Sequence, residues 1–231
     1  MKSLAARVDG LDWEAVGAAL DADGYAMTSE PLLTPDECAL LRALFDEPQH
    51  FRSTIDMARH RFGEGTYRYF AYPLPPLVET LREHAYPHLA AVANRWGHAF
   101  PANLSELLDR CHRAGQARPT PLLLHYEEGG WNALHQDLYG AVHFPLQMAI
   151  ALTSQGDDYD GGEMLFVEQR PRSQSRGSAL VPPLGHAVVF TTNRRPVAGT
   201  RGTYQTTMRH GVSIVRRGAR STLGVIFHDA T

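Results

Sequence analysis

The chain has 231 residues, of which 43% are hydrophobic and 20% are charged, and its formal net charge is −3. This composition predicts an ordinary globular domain with a substantial core. The small negative charge argues against broad, non-specific adhesion to phosphate backbones, although a local basic face stays open. No apolar run reaches about 18 residues and no basic-then-apolar signal opens the chain. We therefore expect a cytoplasmic protein without membrane contact.

The N-terminal part carries helix and strand signals in alternation. We predict a helix over residues 12–20 and a short strand over residues 25–27. Thr34, Pro35 and Glu37 then match a capping box, with threonine at the N-cap, proline at the first helical position and glutamate at the third. This pattern predicts a second helix directly after residue 34.

Residues 51–72 mix aromatic side chains, arginines and glycines. One interpretation is a hairpin over the mouth of an active site, because basic and aromatic groups together suit a base with its phosphate or any planar anion. The other is a hairpin with its aromatics in the core and its arginines in water. Under the first interpretation the candidate substrate-binding residues are Arg59, Arg61 and Tyr67, together with Trp131.

Further helices are predicted over residues 77–96 and 103–113, where apolar residues recur at helical spacing. These helices would brace one face of a sheet. We expect one domain over residues 1–231, with helical and hairpin support in 1–120 and a catalytic β core in 121–231.

Two polar stretches of this β core are predicted to be loops. Residues 169–178 are predicted to be a polar basic insertion between strands, which could contact phosphate or, as we prefer, be merely mobile, and residues 194–204 are predicted to be a rim loop. The rim loop would lead directly into a strand that carries His210.

The triplet His135-Gln136-Asp137 is the strongest chemical signal of the chain. Residues i and i+2 of an extended strand point the same way, so an imidazole and a carboxylate would face one common point. A histidine from another strand, His210, would complete a facial triad of the kind that leaves open positions for Fe(II) oxygen chemistry. Alone, the triplet is weak, because His135 also fits a merely hydrogen-bonded polar residue.

Arg220 stands ten residues after His210 and begins the next predicted strand. Its guanidinium group would grip a dicarboxylate through a bidentate fork if it points into the same cavity. An exposed hairpin arginine is the alternative.

Several spacings around these residues agree with one superfamily. They are Tyr126, Gly129 and His135 at the first ligand, the strand Gly161-Gly162-Glu163-Met164-Leu165-Phe166, the strand Pro183-Leu184-Gly185-His186-Ala187-Val188-Val189-Phe190, and His210, Val215, Gly218 and Arg220 at the end. The chain resembles the Fe(II)/2-oxoglutarate-dependent dioxygenases, and within them the prolyl-hydroxylase-like branch. More closely, the whole chain, including residues 51–65, resembles a bacterial family labelled as a nucleic-acid oxygenase of damaged DNA.

The resemblance implies an α+β protein with a mainly β core, a double-stranded β-helix of the jelly-roll, cupin-like type with N-terminal supporting helices. It further implies Fe(II) on His135, Asp137 and His210, with 2-oxoglutarate and O2 as co-substrates. The far carboxylate of 2-oxoglutarate would meet Arg220, and the residues expected to assist are Tyr126, Thr222 and Asn132. Two of these positions depart from the prolyl hydroxylases, which usually have lysine in place of Arg220 and tyrosine in place of Asn132.

The expected reaction is hydroxylation of a C–H bond in a small molecule or a peptide side chain. Oxidative demethylation of damaged nucleic acid is the alternative, with the same iron chemistry. A cupin-like barrel that binds without catalysis and a zinc hydrolase with the same ligand set are two further alternatives, and the zinc enzyme leaves the Tyr126, Gly129 and Arg220 spacings unexplained. The substrate and the oligomeric state stay open at this stage.

Overall fold

The helices of the computed structural model, which describes residues 2–138, 140–200 and 202–231, lie mostly in the first half of the chain. They are α1 Leu4–Asp9, α2 Trp13–Asp23, α3 Pro35–Ala43, α4 Met57–His60, α5 Pro76–Arg95 and α6 Leu104–Arg113, with short 3-10 turns at Leu44–Asp46 and Pro48–His50. Helix α3 begins with the predicted capping box. The Thr34 hydroxyl accepts from the Glu37 amide at 3.3 Å, and the Glu37 carboxylate accepts from the Thr34 amide at 2.8 Å.

The strands dominate the second half of the chain. They are β1 Tyr25–Met27, β2 Phe51–Asp56, β3 Gly63–Glu64, β4 Thr66–Phe70, β5 Leu122–Tyr126, β6 Trp131–His135, β7 Leu146–Ala151, β8 Tyr159–Gly161, β9 Met164–Gln169, β10 Arg176–Leu180, β11 Ala187–Thr191, β12 Arg194–Gly199, β13 Gly202–Val212, β14 Val215–Gly218 and β15 Arg220–Val225. The predicted strand over residues 25–27 and the predicted strand start at Arg220 are confirmed.

Two antiparallel sheets hold these strands. The large sheet has the order β1-β11-β7-β15-β5-β4-β2, and the small sheet has the order β10-β9-β13-β6-β3. The long strand β13 pairs with β12 through its first half and lies between β9 and β6 through its second half. Strands β8 and β14 form a separate ribbon.

The large sheet has two buried faces, and alternate residues of its strands reach different sides. On one side Leu123, Ile150 and Leu223 join the main apolar core together with residues of α1, α2, α3, α5 and α6. On the other side Ala149 and Phe190 pack against residues of the small sheet. The helices therefore brace the outer face of the large sheet, and the space between the sheets is left for a site. This arrangement confirms the predicted mainly β fold with supporting helices.

One detail differs from the sequence-based expectations. The predicted rim loop is not a loop, because β12 and β13 form a paired hairpin there, and pairing with the neighbouring strand outweighs a polar local sequence. The predicted insertion lies between strands as expected, since residues 170–175 belong to no helix or strand and connect β9 to β10. Strands β2 and β4 form the predicted hairpin of residues 51–72, and its tip also contains the short elements α4 and β3.

Candidate active site

A cavity of about 340 Å³ lies between the two sheets. Side chains of both sheets line it, so it is the space that the alternating strands leave between their inner faces. Two polar groups line this cavity, and we call them its two ends: the first end is His135, Asp137 and His210, and the other end is Arg220 beside Tyr126.

The three predicted metal ligands converge at the first end. His135 is the last residue of β6 and lies opposite His210 of β13 in the strand register. Asp137 follows two residues after the end of the strand, so it belongs to an irregular segment and not to the strand that the sequence predicts. Its carboxylate lies 3.5 Å from His135 Nε2 and 3.2 Å from His210 Nε2. One ligand atom from each residue falls within 4.8 Å of the others.

The orientation of His135 suits metal binding. Its Nδ1 lies 2.7 Å from the carbonyl oxygen of Ala133, which makes Nδ1 the protonated nitrogen of the neutral ring and leaves the Nε2 lone pair toward Asp137. The His210 ring lies 4.3 Å from the His135 ring, centroid to centroid, and 4.7 Å from the Phe190 ring. His210 Nδ1 is buried and has no hydrogen-bond partner among the described residues.

Burial and charge act against each other in this cluster. Burial raises the pKa of Asp137, but hydrogen bonds and charges of the two imidazoles outweigh it and hold that pKa well below its ordinary value. Burial lowers the pKa of His135, but the hydrogen bond and charge of Asp137 outweigh this effect and the pKa is raised. For His210 burial prevails, and its pKa is lowered. The cluster therefore holds an ionised carboxylate between two imidazoles.

Gln147 is a site residue that the sequence analysis misses. It lies on β7 of the large sheet, and its Nε2 donates to Asp137 Oδ2 at 2.6 Å. The available signal was a single amide in the otherwise apolar strand Leu146–Ala151, since a buried polar group needs a partner.

Arg220 forms the other end of the cavity. It is 3% exposed, and its Cζ lies 5.6 Å from the centroid of the Tyr126 ring. Gly162, at a positive φ of 63°, leaves room for it, because a Cβ there would lie 2.9 Å from Arg220 Cδ. Within the part of the chain that the structure describes, Arg220 Nε and Thr222 Oγ1 are buried without hydrogen-bond partners.

Tyr126 and Asn132 complete this end. Asn132 Nδ2 donates to the Tyr126 hydroxyl at 3.4 Å. Burial raises the pKa of Tyr126 to about 12, against the charge of Arg220, which lowers it. Tyr126 is therefore a neutral hydrogen-bonding group at the side of a buried cation.

The two ends fit two different groups. Two imidazoles and a carboxylate are the donor set of facial Fe(II) sites. A buried guanidinium whose Nε lacks a partner, with an unpaired hydroxyl of Thr222 on the same strand, fits the far carboxylate of a dicarboxylic acid. The residues present therefore fit both the iron and the 2-oxoglutarate that the sequence predicts.

The predicted substrate residues divide into two pairs. Arg61 and Tyr67 line the cavity, and burial with the charge of Asp137 raises the pKa of Tyr67. Arg59 and Trp131 lie outside the cavity lining.

Local pairing explains the positions of the second pair. The Arg59 guanidinium lies 3.2 Å from the Asp56 carboxylate, and its side chain is 82% exposed. Trp131 is 41% exposed and precedes the inward Asn132 on β6, so it faces outward. Further apolar lining that the sequence analysis did not single out as site residues comes from Phe62, Tyr69, Met148, Met164, Phe190 and Ile226.

None of the helices in residues 2–138, 140–200 and 202–231 is both long and apolar enough to span a membrane.

Solved structures with a similar fold include a prolyl hydroxylase and a member of the 2OG-Fe(II) oxygenase family. A prolyl hydroxylase from Trichoplax adhaerens, in complex with a hypoxia inducible factor peptide fragment, matches with a TM-score of 0.55 and 14% identity over 94% of this chain and 89% of that chain. A 2OG-Fe(II) oxygenase family oxidoreductase from Burkholderia pseudomallei matches with a TM-score of 0.52 and 18% identity over 92% of this chain and 88% of that chain. These matches confirm the double-stranded β-helix fold.

Closer relatives occur in Mycobacterium tuberculosis. Two uncharacterised proteins, from strains CDC 1551 and H37Rv, are 48% identical to this chain over 167 residues, which is 70% of this chain and 72% of each relative.

Residues 65–230 match the family Oxygenase-NA, described as "Oxygenase, catalysing oxidative methylation of damaged DNA". The match contains every predicted metal and 2-oxoglutarate residue, whereas residues 51–64 precede it. Family, fold and the His–Asp–His geometry together support Fe(II) and 2-oxoglutarate as cofactors and O2 as co-substrate, and the predicted enzyme class, an oxygenase, is confirmed. The chain belongs to the Oxygenase-NA family.

Proposed function

We propose that the protein is an Fe(II)- and 2-oxoglutarate-dependent dioxygenase in which His135, Asp137 and His210 bind the iron. One observation carries this proposal: the three ligand atoms lie within 4.8 Å of one another at one end of a cavity whose other end holds a buried arginine with an unpaired Nε. A metal site alone would fit many enzymes, and an arginine alone would fit many anions. Their joint presence in one cavity favours a keto-dicarboxylate as the co-substrate.

The residues of the large sheet have separate tasks in this proposal. Arg220 binds the far carboxylate of 2-oxoglutarate, Thr222 donates its hydroxyl to the same group, and Tyr126 adds a neutral hydrogen bond held in place by Asn132. When bound, iron with 2-oxoglutarate and O2 would supply the oxidising chemistry, in which one oxygen atom of O2 enters a substrate C–H bond to give an alcohol and the other enters succinate as 2-oxoglutarate loses CO2. The mostly apolar lining excludes water from that reaction.

The cavity supports two classes of substrate. A small molecule or peptide side chain fits its apolar walls, which include Met148, Phe190 and Ile226. A methylated base of damaged nucleic acid is the second candidate, favoured by the family description and by Arg61, which lines the cavity beside Phe62 and Tyr67. Hydroxylation of an N-methyl group would release formaldehyde and thus demethylate the base.

Binding of Fe(II) and 2-oxoglutarate at the proposed site is tested by an anaerobic titration that follows the visible charge-transfer band of the chelated keto acid. We expect the band in the wild type and in Arg59→Ala, a control because Arg59 is exposed and outside the cavity lining. His135→Ala should lack it. Absence of the band in every protein would refute the proposed function.

The test of the substrate class is turnover of 2-oxoglutarate with methylated oligonucleotides, peptides or amino-acid mixtures. Demethylation predicts release of formaldehyde from the oligonucleotide and a weaker response in Arg61→Ala than in Arg59→Ala. Stimulation by peptides or small molecules alone, with no formaldehyde from oligonucleotides, would exclude the nucleic-acid alternative.

A further inference from the structure

Strand β7 contains one polar side chain in an otherwise apolar sequence. All six residues of Leu146–Ala151 are buried, and Gln147 is only 5% exposed. The neighbouring strands β11 and β15 hold β7 on both sides, with Gln147 opposite Phe190 in the register. A buried amide without partners destabilises a core, so the partners of Gln147 explain why it is tolerated there.

Both described contacts of the Gln147 amide nitrogen lead to the proposed iron ligands. Nε2 donates to Asp137 Oδ2 at 2.6 Å and lies 3.4 Å from His210 Nε2. The short first distance is typical of a hydrogen bond to an ionised carboxylate. Gln147 is therefore a contact from the large sheet to ligands that the small sheet and the segment after β6 provide.

Asp137 needs such a contact because of its place in the chain. It lies two residues beyond the end of β6, in a segment without regular secondary structure, so no strand pairing fixes its backbone. The orientation of its carboxylate decides where the oxygen that a metal would meet is placed. A donor on a strand paired along both edges restricts that orientation.

We propose that Gln147 is a positioning residue that orients the Asp137 carboxylate and thereby sets the affinity of the site for a divalent metal. This inference rests on the proposed function, since it presumes that Asp137 is a ligand. It assigns to the large sheet a task in metal binding as well as in binding of the dicarboxylate.

The experiment is an anaerobic titration of the 231-residue chain with Co(II), whose visible absorption reports the geometry of its ligands. Gln147→Met keeps the approximate length of the side chain and removes the donor. We expect about 10- to 100-fold weaker Co(II) binding and an altered absorption band. Gln155→Met is the matched control, because the Gln155 amide donates to the Gly161 carbonyl oxygen at 2.8 Å, away from the ligands, and this variant should bind like the wild type.

A second variant and a stability measurement separate positioning from packing. Gln147→Asn keeps an amide but withdraws it by one methylene group, and it should also weaken binding if Gln147→Met folds poorly. Urea unfolding of each metal-free protein measures packing alone. Equal loss of stability and affinity with an unchanged absorption band would overturn the inference, because the amide would then serve only the core.

The failure of this inference can be told apart from failure of the proposed function. If His135→Ala loses Co(II) binding while both Gln147 variants keep the wild-type affinity and spectrum, the iron site stands and Gln147 has no role in it. If His135→Ala binds like the wild type, the proposed iron site is wrong and the inference falls with it.

Discussion

The two ends of the cavity satisfy their polar groups in opposite ways. At the iron end Asp137 contacts His135, His210 and Gln147, so its negative charge is compensated within the protein, although the buried Nδ1 of His210 has no hydrogen-bond partner among the described residues. At the other end Arg220 has an unpaired buried Nε, and no ion pair of its guanidinium occurs among the described residues. The charge of the first end therefore has counter-charges within the protein, whereas the second end holds a buried cation that forms no ion pair among the described residues.

This difference teaches how each group would bind. A metal at the first end must compete with the proton that the raised pKa of His135 favours, so the apparent metal affinity falls as the pH falls. An anion at the second end would pair with Arg220, whose desolvation cost is already included in the folding free energy. Binding of the anion therefore gains from preorganisation. The four predictions below run from the largest expected effect to the smallest.

Removing the Asp137 carboxylate should cause the largest loss of metal affinity at the iron end. Asp137→Ala leaves two imidazoles without their anion and deletes a ligand. Because changes to groups that only support a ligand cost about 10- to 100-fold in metal affinity, loss of the ligand itself should exceed about 100-fold. Titration with Fe(II) or Co(II) measures this loss, and a residual affinity close to that of the wild type would contradict the proposed ligand set.

Removing the buried cation at the other end should weaken 2-oxoglutarate binding but stabilise the ligand-free protein. Arg220→Met should weaken 2-oxoglutarate binding by about 30- to 1,000-fold, since truncation of one partner of a buried charge pair costs about 2–4 kcal/mol. The same variant should raise the free energy of unfolding of the ligand-free protein by about 1 kcal/mol or more, because an unpaired buried charge is replaced by an apolar chain. Calorimetric binding and urea unfolding test the two halves, and a destabilised variant would mean that Arg220 has a structural partner.

Acid should lower the free energy of unfolding through His228, a residue that belongs to neither end of the cavity. His228 accepts from the Phe144 amide through Nδ1 at 3.1 Å, and burial lowers its pKa from 6.5 to about 4. Since the folded-state pKa is depressed, the unfolded chain takes up the proton first, and stability falls as the pH drops from about 6.5 toward about 4. We expect a loss of about 2 kcal/mol between pH 7 and pH 5 from this group.

His228→Asn is the variant for this measurement, because its amide oxygen can replace Nδ1 as acceptor and does not titrate. Its free energy of unfolding should be lower at pH 7 but should change less between pH 7 and pH 5. An identical pH dependence in both proteins would assign the acid sensitivity to other groups.

The smallest effect is expected for Thr222→Val, which has nearly the same shape and lacks the hydroxyl. We expect 2-oxoglutarate binding to weaken by about 3- to 10-fold, the equivalent of one hydrogen bond of about 1 kcal/mol. The ligand-free protein should be no less stable, since Thr222 Oγ1 has no described partner to lose. A stability loss without a binding change would place this hydroxyl outside the 2-oxoglutarate site.

The convergence of His135, Asp137, His210 and Arg220 in one cavity could be predicted because each sits in a short pattern with a fixed spacing. Gln147 could not, since its importance comes from a contact between the two sheets and its local sequence only shows an amide in an apolar strand. Long-range contacts of this kind leave no periodic signal.

The outward position of Trp131 has a different cause. The register of β6 shifts against β13, with His210 opposite His135 but Val212 opposite Asn132, so two residues of β6 lie opposite the single residue Gly211 of β13. Simple alternation across residues 131–137 therefore fails at this irregularity. The hairpin of β12 and β13 was missed because Pro196 and polar neighbours favour a loop locally, while the ladder to β13 forms nevertheless.

The site residues lie on two sheets, so bound iron and 2-oxoglutarate would also stabilise the contact between the sheets. Iron would be held by the small sheet and its extension, and the far carboxylate of 2-oxoglutarate by Arg220 of the large sheet. One buried apolar cluster packs the two sheets against each other. Its residues are Ala149, Met164, Phe166, Val188, Phe190 and Met208. A 2-oxoglutarate molecule that binds the iron and Arg220 together would cross-link the two sheets. Amide hydrogen exchange in β6 and β13 should therefore slow once both ligands are bound.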